Sequence, residues 1–183
     1  PMVSFTMKPR TEGDIGIPLT GVTVDIRDSN GEVALDGDVG QIVVKGNNVF
    51  AGYYQDMTAT NKVLDKNGWL FTGDVGVRNE DGSITLIDRS NDVIIVNGFS
   101  VFPSEVEKVL LEHSLVGKVA VVGELSEVSG EAVVAYVELV ESSHDLNDPK
   151  VTRNIEYELR DYCYKKLARY KIPSKFDFMS NVN

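Results

Sequence analysis

The sequence predicts an α+β protein in two parts. Residues 1–90 read as strand-rich and barrel-like; residues 91–183 read as a small α+β unit with a three-stranded sheet and flanking helices. Three observations predict this. Short alternating strands separated by Gly-containing turns fill the first half. The texture changes at the polar stretch Ser90–Asp92. Near the end, Ile155, Leu159, Cys163 and Leu167 recur every fourth residue, the apolar stripe of a helix.

In the first half, Val22–Arg27 alternates apolar and polar, the period of a half-buried strand. Asp28-Ser29-Asn30-Gly31 is a turn. Gln41–Lys45 is a second strand, stopped by Gly46. Asp56–Leu64 is a short helix. Val75–Arg78 and Ser83–Asp88 flank the turn Asn79-Glu80-Asp81-Gly82.

In the second half, Val93–Val96 and Phe99–Phe102 make a tight hairpin about Asn97-Gly98. Pro103 opens a helix, with Glu105 and Glu107 near the positive end of its dipole. Val106, Val109, Leu110 and Leu115 form its buried side. Lys118–Val122 and Glu131–Val140 are strands, and the loop 145–149 caps the last helix. The two parts meet without a long linker, which suggests controlled rotation more than free tethering.

Composition narrows the function classes. The 183 residues are 42% hydrophobic and 25% charged, a globular mix. A net charge of −10 argues against a broad nucleic-acid surface, which needs Lys and Arg on phosphates. The single Cys163 excludes an internal disulfide and a Cys-cluster zinc site. No apolar run approaches the ~20 residues of a membrane-spanning helix. Pro1–Arg10 shows no secretory pattern, so a cytoplasmic setting is expected, and an N-terminal Pro suggests a piece of a longer protein. His113 and His144 read as surface residues, and no metal site is expected. Tyr53 and Trp69 read as packing aromatics.

Three segments carry a resemblance. They are Gly40–Gly46 continuing through Val49-Phe50-Ala51-Gly52-Tyr53, then Gly68-Trp69-Leu70-Phe71-Thr72-Gly73-Asp74, then Asp88–Glu107. Together they resemble the later motifs of the AMP-forming adenylate enzymes, a superfamily of acyl-CoA synthetases, peptide-synthetase adenylation domains and luciferases. The form Val96-Asn97-Gly98-Phe99-Ser100-Val101-Phe102-Pro103 most resembles fatty-acyl-CoA ligases.

The resemblance implies a parent enzyme that uses ATP and Mg2+ to activate a fatty acid as acyl-adenylate, then transfers it to coenzyme A with release of AMP. It implies that 1–90 is the end of a large domain and 91–183 most of a lid domain. The parent would be cytoplasmic or peripheral to a membrane. The family's Gly/Ser/Thr-rich phosphate loop, magnesium motif and final Gly-Lys segment have no counterpart in these residues, so the chain by itself is expected to be inactive, with no catalytic lysine. Lys175 is not that lysine; it precedes the expected strand.

By the same resemblance, Asp74 binds the ribose, where an ionised carboxylate accepts from both hydroxyls. Arg89 reaches ribose or phosphate oxygens. Asn91 falls at the hinge, and Gly98, Phe99 and Ser100 lie on the hairpin that lines the coenzyme A tunnel. Ile95 and Ser100 depart from the polar residues that many members carry there. The residues alone leave blander readings open: a turn aspartate, a local Arg–Asp pair, a linker asparagine and a plain hairpin. The basic group Arg160, Lys165, Lys166, Arg169, Lys171 and Lys175 reads first as a solvated face, second as a patch for coenzyme A phosphates. A fatty acyl-AMP ligase, a peptide-synthetase adenylation domain and a non-catalytic binding module are the alternatives.

Overall fold

A computed structural model of the chain describes residues 3–6, 11–140, 146 and 148–179. His144 lies outside them. The chain divides into two compact units, Pro1–Asn91 and Asp92–Asn183.

Among the described residues the first unit is built on a six-stranded antiparallel sheet. Its strands are β1 (Ser4–Phe5), β2 (Asp14–Pro18), β3 (Val22–Arg27), β4 (Val39–Gly46), β5 (Leu70–Arg78) and β6 (Ile84–Arg89). They lie in the order β1-β2-β6-β5-β4-β3. Register shifts interrupt the β2–β6, β4–β5 and β5–β6 ladders. Such bulges bend strands and re-aim side chains. Alternation in β3 and β4 sends Val24, Ile26, Ile42 and Val44 to one face, where they bury with Ile84. Helix α1 (Met57–Val63) begins where Asp56 Oδ1 accepts from the Ala59 N–H at 2.8 Å.

The second unit begins with the hairpin β7 (Ile94–Val96) and β8 (Phe99–Val101). Asn97 and Gly98 both have positive φ, 51° and 83°, the turn whose twist matches its flanking strands. Helix α2 (Pro103–Leu111) follows, then β9 (Val116–Ser126), β10 (Gly130–Leu139), α3 (Pro149–Tyr164) and β11 (Lys175–Phe178). Asp148 caps α3 by accepting from the Lys150 N–H at 2.8 Å, with Pro149 in the first turn.

Among the described residues the second sheet has five strands, not three. Its centre is the expected triple, β10 between antiparallel β9 and parallel β11. The hairpin joins through the single pair Gly130–Val96, a contact that strand patterning in either segment does not announce. Strand β9 is also longer than Lys118–Val122, because its pairing with β10 continues past the apolar run to Ser126. Leu115 and Leu167 lie beyond the helices they were assigned to, yet both pack on the core. Val106 and Leu110 of α2 and Ile155, Leu159 and Cys163 of α3 close over the sheet. Burial pushes the Cys163 thiol up to about 11, against a smaller opposing pull from Arg160, so it is a packing residue. Among the described residues, no helix is long and apolar enough to cross a membrane.

Candidate functional site

The polar features of the first unit converge where β5 meets β6. Asp74 lies directly opposite Arg89 in the ladder. Arg89 Nε is 3.3 Å from Asp74 Oδ1, and the two side chains are 72% and 30% exposed. The aspartate is thus held against the sheet while the guanidinium stands in solvent. The pair alone is worth little, because solvent screens it. Its importance is geometric: Nε stands beside one carboxylate oxygen, and an ionised carboxylate has further acceptor positions for other donors.

The backbone around Asp74 is fixed by short contacts. The Ser90 N–H donates to the Gly73 carbonyl at 2.8 Å. Gly73 has φ +79°, which an L side chain rarely adopts. The Thr72 hydroxyl donates to the Ile42 carbonyl at 3.0 Å and accepts the Asp74 N–H at 3.1 Å. No local pattern in the sequence marks Thr72 as more than part of the second motif, two residues before Asp74. Asp88 accepts the Arg89 N–H at 2.8 Å. Asn91, the last residue of the first unit, is exposed and has no positive φ.

Trp69 is half-buried in a polar setting and lies outside both buried apolar clusters. Arg27 lies 5.2 Å and Lys45 5.8 Å from its ring centroid. Asp65 accepts from the Trp69 and Asn67 N–H groups, both at 2.8 Å. Desolvation pushes the Asp65 carboxyl up, but those amides and Arg27 outweigh it and hold it below its usual value. Tyr53 is not a core residue: it is 52% exposed and packs edge-on against Phe50 at 5.2 Å.

In the second unit the hairpin tip is open. Asn97, Gly98, Phe99 and Ser100 are all exposed. Phe99 stacks on Tyr170 with ring centroids 4.9 Å apart. Glu131 Oε2 accepts the Ile95 N–H at 2.6 Å. These tethers join residues far apart in sequence, so no local signal announced them.

The basic group resolves into pairs. Lys165 meets Asp161 at 2.6 Å, Arg160 meets Glu156 at 2.6 Å, and Lys175 meets Asp177 at 2.6 Å. Lys166 pairs with Glu112. Lys171 reaches both oxygens of Glu105, at 2.7 and 2.6 Å. Arg169 is exposed. A patch whose lysines each have a carboxylate has little net field for an anion, so the solvated-face reading is favoured. Lys175 opens β11 and does not precede it.

Glu105 and Glu107 also do more than favour a helix start. Glu107 Oε1 accepts the Val121 N–H of β9 at 2.8 Å, satisfying an outward-facing strand amide. His113 is not a surface residue. Its side chain is 10% exposed, packed edge-on at 4.8 Å to Tyr162, and 3.5 Å from Glu158.

Residues 105–183 match the family model described as the AMP-binding enzyme C-terminal domain. The chain contains an AMP-binding enzyme C-terminal domain. It is 38% identical over 170 residues to the long-chain-fatty-acid–CoA ligase of Salmonella typhimurium, covering 93% of this chain and 28% of that protein. The o-succinylbenzoate CoA synthetase of Bacillus subtilis, solved with its acyl-adenylate intermediate, superposes with a TM-score of 0.78 at 34% identity. That match covers 93% of this chain and 33% of the other. ATP-bound MatB from Rhodopseudomonas palustris superposes at 0.83 with 29% identity, over 97% of this chain and 34% of that one. The chain therefore spans about a third or less of the length of these relatives. The second unit carries the hairpin of β7 and β8 just ahead of the matched residues, and Asp74 and Arg89 lie in the first unit.

Proposed function

We propose that this chain supplies the ribose-binding carboxylate and the small C-terminal domain of an AMP-forming acyl-CoA ligase acting on long-chain fatty acids. The observation that carries this reading is the Asp74–Arg89 pair, set side by side where the bulged middle of β5 meets the end of β6. In the reaction, a carboxylate oxygen attacks the α-phosphorus of ATP and pyrophosphate leaves. The thiol of coenzyme A then attacks the acyl carbon, its proton is lost and AMP departs.

Asp74 accepts from the two ribose hydroxyls, using the lone pairs that Arg89 leaves open. The free N–H groups of Arg89 face ribose or phosphate oxygens. Asn91 is the hinge between 1–90, read as the end of a larger domain, and 91–183, read as its lid. Gly98, Phe99 and Ser100 present backbone and side chains to the pantetheine arm. Magnesium would counter charge on the ATP phosphates. Among the described residues no group of three His, Cys, Asp or Glu side chains fits a metal ion, so no step is assigned to magnesium through this chain. The fatty-acid assignment draws support from the named Salmonella ligase, and the ATP assignment from the ATP-bound relative.

The test is Asp74→Ala in the enzyme that contains this chain. Each lost charge-assisted hydrogen bond should cost about 1.5–3 kcal/mol of ATP recognition. ATP–pyrophosphate exchange would read this as a raised KM for ATP, and wild-type kinetics would remove Asp74 from the site. A panel of carboxylic acids on the same enzyme tests the substrate. The 183-residue chain alone should show no exchange.

A further inference from the structure

Strand β5 does not run evenly beside β4. Val43 stands opposite Phe71, and Gln41 opposite Val75, so two steps along β4 face four along β5. The surplus falls on Thr72-Gly73-Asp74. A bulge of this kind leaves its residues out of the ladder and turns side chains to new directions. On its β4 side such a segment would sample several conformations, because ladder hydrogen bonds no longer hold it there.

The Thr72 hydroxyl takes over that task. It donates to the carbonyl of Ile42, a residue only 4% exposed at the centre of β4, and accepts the N–H of Asp74. A hydroxyl has one proton to give, so the direction of both bonds is set. The chain of contacts runs from a rigid strand, through one side-chain oxygen, to the backbone that carries the carboxylate. Ser90 holds the neighbouring Gly73 carbonyl from β6's side.

We propose that Thr72 is a positioning residue for the Asp74 site. Its hydroxyl fixes the bulge so that the carboxylate meets a vicinal diol in one orientation. This rests on the reading of Asp74 as the ribose acceptor. Thr72 touches no ligand itself.

The test measures diol recognition in this chain by NMR titration with AMP and with 2′,3′-dideoxy-AMP, following the Asp74 and Arg89 amides. The wild-type chain should prefer AMP. Thr72→Val keeps the shape and removes the hydroxyl, and should cut that preference by about tenfold, the scale of one hydrogen bond. Thr72→Ser should restore it. A purely structural role would weaken both ligands alike and leave their ratio unchanged, which would overturn the proposal. Thr72→Ala is measured in parallel; if neither it nor Thr72→Val folds, Thr72 supports the fold at large and the proposal fails. Asp74→Asn separates the two claims. If it abolishes the preference while Thr72→Val does not, only the Thr72 proposal falls. If it leaves the preference intact, or if the wild-type chain shows none, the ribose reading falls and takes Thr72 with it.

Discussion

Val24, Ile26, Ile42, Val44 and Ile84 form the buried cluster of the first unit, whereas fifteen described residues, from Ile94 to Phe176, form that of the second. The second unit closes two helices over a sheet and uses paired side chains on its surface. The first has a thin core and relies on backbone detail: bulges, turn aspartates and the Thr72 bridge. Bulk apolar burial is tolerant of small shifts, while a site that must present one carboxylate is not. The candidate nucleotide residues fall in the unit where geometry is set by hydrogen bonds at turns, and the unit with the larger core is the one proposed to move as a lid.

The largest effect should come from the larger core. Leu159 is fully buried in α3. Leu159→Ala removes its contacts and leaves a cavity, which should cost about 2–5 kcal/mol. Urea unfolding followed by circular dichroism at 222 nm reports it, since α2 and α3 dominate that signal. A loss well under the low end would mean that this core collapses readily around a gap, and the contrast between the units would weaken.

A smaller effect should come from the pair Lys171–Glu105. Lys171 is 18% exposed and reaches both carboxylate oxygens. Lys171→Met keeps most of the stem and removes the charge, at a cost of about 1 kcal/mol. Thermal unfolding of the two proteins measures it. No loss would show that even the best-formed pair of this unit is decoration on its core.

Much of this was legible in the sequence. Strand β3 and helix α1 follow their patterns closely, because alternation and an Asp cap are local signals. The Asn97-Gly98 turn was legible for the same reason. The family resemblance singles out Asp74 and Arg89, and the ladder places them opposite each other. What sequence did not show is pairing across distance. The hairpin's attachment at Gly130, the Glu107–Val121 bond and the burial of His113 all depend on which surfaces meet. Charge clusters leave two readings open for the same reason: only the partner carboxylates, once in place, favour the solvated face over an anion patch.

The smallest effect concerns acid, and it separates the units by mechanism. In the first unit, the Glu32 N–H leads the influences that hold the Asp28 carboxyl below its usual value, with help from Asn30 and Gly31. Asp65 is lowered by backbone amides acting against desolvation. In the second, Glu112 is lowered first by its hydrogen bond to Lys166 and then by that lysine's charge. A carboxyl lowered in the folded state adds stability above its unfolded value; that stability is lost as pH falls through the folded value. Both units should therefore lose a little stability at acid pH, below the ordinary carboxylate range. Salt should divide them. An exposed Lys–Glu pair is screened, while a carboxylate bonded to fixed amides at contact distance is much less so. Asp65→Asn and Glu112→Gln should each flatten the acid limb of thermal stability. Added salt should shrink the difference between Glu112→Gln and wild type, and leave that of Asp65→Asn nearly unchanged. Equal salt sensitivity would mean that Arg27, not the turn amides, holds Asp65, and that the first unit is built more like the second than its hydrogen bonds imply.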